Sequence, residues 1–219
     1  LTEPMIALYK REAKRILGIK SQEIENKLRF DINRYAGNWK FSAGAMAQYV
    51  KYNNNAYTRL RAAVLDSTGT VVQPALESRF STAIDFVKFG VFGQVNRTFI
   101  NDRLGVSAGI RADGNSFTDD GANPLQTLSP RIGLSYAFAP KWKANASIGR
   151  YYKMPLYTVL GYRDDSGSLV NQDQPYLRSD HYVAGLEFVP SRILRLTLEG
   201  FYKQYADYPV SVFNGVSLA

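Results

Sequence analysis

The sole histidine, His181, directly follows Ser179 and Asp180, which makes it the first place to look for catalysis. A serine nucleophile needs a base within hydrogen-bond reach and a carboxylate that orients the base. On a strand, however, adjacent side chains leave opposite faces, so Asp180 and His181 diverge. The 219 residues hold no second histidine and no cysteine. A histidine-based metal cluster, a thiolate zinc site and a disulfide framework are thereby excluded. The carboxylate pairs Asp119-Asp120 and Asp164-Asp165 precede Gly121 and Ser166-Gly167. Neither has the alternating oxygen ligands of a calcium loop, and both suit turns. The expectation is no enzyme, no metal and no cofactor.

Two other groups of polar residues remain. Lys27, Arg29, Arg103, Arg111, Arg131, Arg150, Glu187, Arg195 and Glu199 belong to alternating segments and are expected to face a water-filled lumen. Tyr52, Tyr57, Arg59, Tyr157, Tyr162, Arg163, Asp164, Asp165, Tyr176 and Arg178 fall in or beside long connections. Loops carried on a rigid scaffold commonly bind ligands, so these ten are the ligand-contact candidates. The net charge of +8 invites thought of nucleic acid. The basic residues are scattered, with one block at 10–15 and no nucleic-acid motif, so no nucleic-acid partner is expected.

The elements that position these residues follow from periodicity. Residues 5–20 place Met5, Leu8, Glu12 and Ile16 at helical spacings, predicting a short helix within a leading loop over 1–23. From 24 to 213 the period becomes two. Leu28, Phe30 and Ile32 alternate with charged residues, and Trp39, Phe41, Ala43, Ala45 and Ala47 alternate with Lys40, Ser42, Gly44 and Gln48 across a turn at 36–38. Three more hairpins turn at 100–102, 139–141 and 190–192. The connections between hairpins are long and polar: 54–79, 114–129, 154–180 and 206 onward.

Alternate short turns and long loops, with strands of about ten residues, are the pattern of an outer-membrane barrel. No segment reaches the ~18 apolar residues of a membrane helix. The fold expected is all-β, an antiparallel up-and-down meander of about eight strands forming part of a larger transmembrane β-barrel. Trp39, Phe99, Phe138 and Trp142 flank short turns, as an interfacial aromatic girdle requires. The alternative is a small closed barrel acting as a passive porin or adhesin. The ends carry neither a signal peptide nor a closing strand, so a piece of a longer polypeptide is expected.

Several segments resemble the barrel strands of TonB-dependent receptors of the Bacteroidetes type. Ser129-Pro130-Arg131-Ile132-Gly133-Leu134-Ser135-Tyr136 is the most specific, continued by Ala146-Ser147-Ile148-Gly149-Arg150-Tyr151-Tyr152 and Met154-Pro155. Phe89-Gly90-Val91-Phe92-Gly93-Gln94, Leu177-Arg178-Ser179-Asp180-His181-Tyr182 and Leu198-Glu199-Gly200-Phe201-Tyr202-Lys203 extend the likeness over roughly 24–213. The resemblance implies energised uptake of a scarce nutrient (siderophore, cobalamin, glycan or peptide) across a Gram-negative outer membrane. It also implies the partners: outer-membrane lipid, a plug domain and further strands of the same polypeptide, and TonB reached through that plug.

Overall fold

The computed structural model describes residues 15–164 and 166–210. Ten strands follow one another: β1 (Leu17–Ala36), β2 (Trp39–Arg61), β3 (Val64–Leu65), β4 (Val71–Gln73), β5 (Leu76–Phe99), β6 (Leu104–Asn115), β7 (Arg131–Ala139), β8 (Trp142–Lys153), β9 (Leu177–Ser191) and β10 (Leu194–Ala206). Eight form a single antiparallel sheet in the order β1-β2-β5-β6-β7-β8-β9-β10, and β3-β4 is a small separate hairpin. In such a meander the four short turns necessarily share one end of the sheet and the long connections the other. The sheet is a curled half-barrel. Its edges, β1 and β10, do not pair with each other, so these eight strands do not close as a small barrel.

Side-chain alternation sorts the two faces. Rungs such as Ala47↔Phe89, Val91↔Ala112, Ile132↔Ile148 and Leu186↔Leu198 place apolar residues outward. Leu28, Phe30, Ile132 and Leu198 are 76%, 66%, 51% and 74% exposed. So continuous an apolar face has to meet lipid rather than water. The opposite face bears Ser42, Gln94, Ser107, Ser135, Asn145 and Glu199, and an open trough running from Tyr35 and Lys40 to Glu199 identifies it as the concave side.

Outward aromatics mark the limits of the lipid band. Near the short turns Trp39 stacks on Phe41, and Trp142 on Phe188 at 4.3 Å. A second row follows ten residues along each strand: Tyr49 after Trp39, Phe89 before Phe99, Tyr152 after Trp142. At ~3.3 Å per residue and a tilt near 45°, ten residues rise about 23 Å, against ~25 Å for the apolar band of such barrels.

Three sequence expectations need correction. Of the predicted helix at 5–20, residues 5–14 lie outside the described residues, and Leu17–Lys20 are already β1, laddered onto β2 through Leu17↔Thr58 and Ile19↔Ala56. The first strand therefore begins seven residues before the predicted start at 24. The connection expected over 54–79 is largely strand as well, since β2 runs to Arg61 and β5 starts at Leu76. Pairing to a formed neighbour outweighs weak local preference.

The turn joining β5 to β6 is strained. Ile100, Asn101 and Asp102 have φ of 55°, 52° and 63°. Asparagine and aspartate tolerate this left-handed conformation, whereas a β-branched isoleucine does so at a cost of roughly 1–2 kcal/mol. Ile100→Asn is expected to stabilise the full-length protein by about 1 kcal/mol in urea titrations. A drop in stability would show instead that the Ile100 side chain contributes more than its backbone strain costs.

Candidate functional site

Near the long-loop end the concave face changes character. Val50 and Tyr52 of β2 lie opposite Phe86 and Ile84 of β5, and all four project inward directly above the polar pair Gln48 and Lys88. Their exposures are 0%, 6%, 4% and 5%. What covers them is the connections 116–130 and 154–176, folded into the half-barrel. Met154 and Leu160 complete the apolar cluster, with Phe117, Tyr157, Leu169 and Tyr176 packed against it. Phe117 and Tyr157 meet Phe86 at 5.3 and 5.5 Å, and Tyr157 meets Tyr52 at 5.6 Å. A single helical turn, α1 (Tyr157–Leu160), sets Leu160 down onto the wall. A β-carbon at Gly161 would come within 2.7 Å of Thr82 Oγ1, so only glycine allows that approach.

Polar contacts fasten the loops. Lys88 Nζ donates to Tyr157 Oη at 2.5 Å and to Glu25 at 3.1 Å, and the Tyr157 hydroxyl donates to Glu25 at 3.1 Å. Burial pushes the Tyr157 hydroxyl up from its ordinary value, which keeps it a donor further into the alkaline range. Asn115, fully buried at the end of β6, donates to Tyr176 Oη and Thr118 Oγ1 and accepts from the Phe117 and Thr118 amides. Gln172 links the loops through the Phe117 carbonyl and the Asp119 amide.

Beneath them lies a cavity of about 600 Å³, bounded by Tyr52, Lys88, Arg111, Asp113, Tyr157 and Tyr176. That volume suits a small molecule. Arg111 grips Asp113 at 2.7 and 2.5 Å and donates to Met46 Sδ at 3.6 Å. The cavity therefore offers aromatic faces, hydroxyls and balanced charge.

Of the ten ligand-contact candidates, the structure brings Tyr52, Tyr157 and Tyr176 together here. Tyr52 belongs to β2 rather than to a loop, as do Tyr57 and Arg59. Tyr57 projects outward between Arg15 and Arg79 and donates to Glu77, near Arg59. Tyr162 stacks on Phe80 away from the cavity. Arg163 donates to the Gly167 carbonyl, and Arg178 is on β9, facing outward. Asp165 lies outside the described residues. Asp164 is a loop tip. Its Oδ1 accepts from the Ser166 amide and hydroxyl and the Ser168 amide, a pattern that Asp66 repeats with Thr68 and Thr70. Its carboxyl is held below the usual range chiefly by the Ser166 hydroxyl. The tip is thus secured at neutral pH and loosens as acid protonates that carboxylate through its lowered value.

Among the lumen candidates, Arg29 and Arg111 project inward, each forked onto the aspartate two residues on. Arg131 lies over Tyr151 at 4.5 Å, Glu187 pairs with Arg195, and Glu199 lines the trough. Lys27 faces inward opposite Gln48, while Arg103 caps the Ala137 and Phe138 carbonyls near its turn. Arg150 is a correction. It shares the outward face with Ile148 and forks onto Asp180 at 2.7 and 2.9 Å. Asp180 is thereby held on the face opposite His181, which bonds Ser179 at 2.7 Å on the inner side. No serine–histidine–aspartate relay forms.

Lys88, Glu25 and Asn115 were not singled out from sequence. The signal that could have found them is the inward apolar run Ile84-x-Phe86 and Val50-x-Tyr52, which has no purpose in a wet lumen unless something covers it.

Comparison with solved structures finds the same fold in outer-membrane proteins. A copper transporter, OprC, superposes with a TM-score of 0.57 at 16% identity, covering 84% of this chain and 30% of that one. The outer-membrane transporter YddB from Escherichia coli gives 0.52 at 15% identity, covering 80% and 24%. A chain of the FpvAI–pyocin S2 complex gives 0.52 at 16% identity, covering 86% and 26%. The chain thus spans less than a third of the length of these structures. No curated protein matches by sequence. Residues 11–219 match the family described as TonB dependent receptor-like, beta-barrel. With that match over nearly its whole length, the chain belongs to the TonB-dependent receptor β-barrel family.

Proposed function

We propose that this chain is barrel wall and extracellular loop surface of a receptor for energised nutrient uptake across a Gram-negative outer membrane. The observation that carries the proposal is the inward fold of the two long connections, which builds an aromatic, polar-lined cavity on the concave face. Loops anchored by a buried core hold a fixed aromatic surface at the mouth of the concave face, which is what a receptor needs for binding. In this proposal a ligand meets Tyr157, Tyr176 and Lys88 from the outside. A plug domain of the same polypeptide, contacted by TonB, then releases it inward. The chain supplies binding and guidance, and no catalysis.

The test is uptake by cells carrying or lacking the full-length receptor. Labelled ferric siderophores, cobalamin, oligosaccharides and peptides are the probes. One class is expected to enter only when the receptor is present and to stop when a protonophore collapses the proton gradient. Entry that continues without the gradient sinks the energised reading. Equal entry of all four classes with and without the receptor sinks the transport reading.

A further inference from the structure

The outward face is apolar through the lipid band and changes abruptly on β8 and β9. Between the rung Trp142↔Phe188 and the rung Ile148↔Tyr182 every outward residue is apolar or aromatic. The next outward rung is Arg150↔Asp180, and the next Tyr152↔Arg178. Tyr152 stands ten residues from Trp142, a rise of about 23 Å, which puts this pair of rungs at the outer headgroup level. Asp180 neutralises Arg150 through both carboxylate oxygens. Arg178 is partly exposed and, among the described residues, forms no hydrogen bond or close ion pair, but its charge also acts on Asp180, so one carboxylate faces two guanidinium groups and the patch keeps one net positive charge. Gln204 of β10, opposite Asp180, adds an outward amide. On β2 and β5 the matching outward rung, Tyr49↔Val87, carries no charge, and the next one, Lys51↔Asp85, is balanced. Of these two strand pairs, only β8–β9 carries a surplus cation at headgroup level on the lipid-facing surface.

We propose that Arg178, with Arg150 held beside it by Asp180, docks the phosphate of an anionic lipid in the outer leaflet. A guanidinium matches phosphate geometry through two parallel N–H donors, and headgroup depth removes much of the competing water. Charge complementarity and depth favour lipid over a soluble anion or a protein partner. The Arg150–Asp180 fork fixes the neighbouring side chains, so Arg178 is the binding group and Asp180 a positioning one.

The test uses the full-length receptor, delipidated in detergent and then equilibrated with phosphatidylcholine vesicles with and without a lipid carrying a phosphate monoester. Wild-type protein is expected to retain the phosphate lipid selectively. Arg178→Gln should weaken retention about five-fold, and adding Arg150→Gln with Asp180→Asn should weaken it further, to roughly 25-fold. Arg178→Lys should restore most of the binding, because charge without the fork remains. Heat-modifiable gel mobility confirms that each variant is folded. Retention by Arg178→Gln equal to wild type overturns the proposal. So does competition by inorganic phosphate at matching concentration, or a second receptor copy recovered in place of lipid.

Discussion

Leu160→Asp is expected to free residues 154–176 from the barrel wall while the eight-stranded sheet stays paired. The helical turn α1 is four residues long and has no side-chain cap at Leu156, so it cannot hold itself. Its stability comes from Leu160, fully buried against Val50, Tyr52, Ile84 and Phe86. Truncating such a leucine to alanine costs ~2–5 kcal/mol, and a buried unpaired carboxylate costs more. The loop, being the weaker cooperative unit, opens before the ladder yields. Hydrogen exchange on the detergent-solubilised receptor reads the effect. The Leu160 and Gly161 amides, bonded to the Leu156 and Tyr157 carbonyls, should lose protection by about a thousand-fold for ~4 kcal/mol. The Asp119 amide, bonded to the Gln172 carbonyl, should follow because the loops are joined. Strand amides of β2 and β5 at Ala43–Ala47 level should not change. Unaltered protection at Leu160 would mean that the polar contacts of Lys88 and Asn115 alone suffice.

The meander was legible because a pleat reverses side chains at every residue while lipid and lumen demand opposite chemistry. Where that contrast ends, so does the signal. Asn54-Asn55-Ala56-Tyr57-Thr58 read as loop, yet it pairs on both sides within β2. Above the lipid band both faces meet water or protein, and the ladder continues without any hydropathy alternation. Arg150 shows the reverse error. Alternation from Trp142 through Ile148 places it outward, and the Asp180 carboxylate lets a charge stand there that would otherwise belong in the lumen. For the site, Tyr157 and Tyr176 were visible as loop aromatics, but their convergence depends on chain reversal over residues 154–176 that no local period encodes. Asn115 looked like one more turn-former in a polar connection. Its role comes from complete burial, which depends on Tyr176, 61 residues away.

Asn115→Ala should therefore damage the site more than its exposed-loop appearance suggests. The Asn115 side chain satisfies four partners: it donates to Thr118 Oγ1 and Tyr176 Oη, both at 3.0 Å, and accepts from the Phe117 and Thr118 amides, both at 2.8 Å. Alanine leaves two buried amides and two hydroxyls to find other partners, at about 1–3 kcal/mol for each that fails. A total near 3 kcal/mol is expected, enough to open the connection 116–130 and withdraw Tyr176 from the cavity. Tyr176→Phe removes only one acceptor and should cost roughly 1 kcal/mol. The two residues share a bond, so their double variant should cost less than the sum of the singles by about 1 kcal/mol. Exchange protection of the Phe117 and Thr118 amides measures all four corners of that cycle. Strict additivity would show that Tyr176 is held by the apolar cluster and that Asn115 serves only its own turn. Coupling would establish Asn115 as the residue that fixes the first connection to the second, and both to the mouth of the cavity.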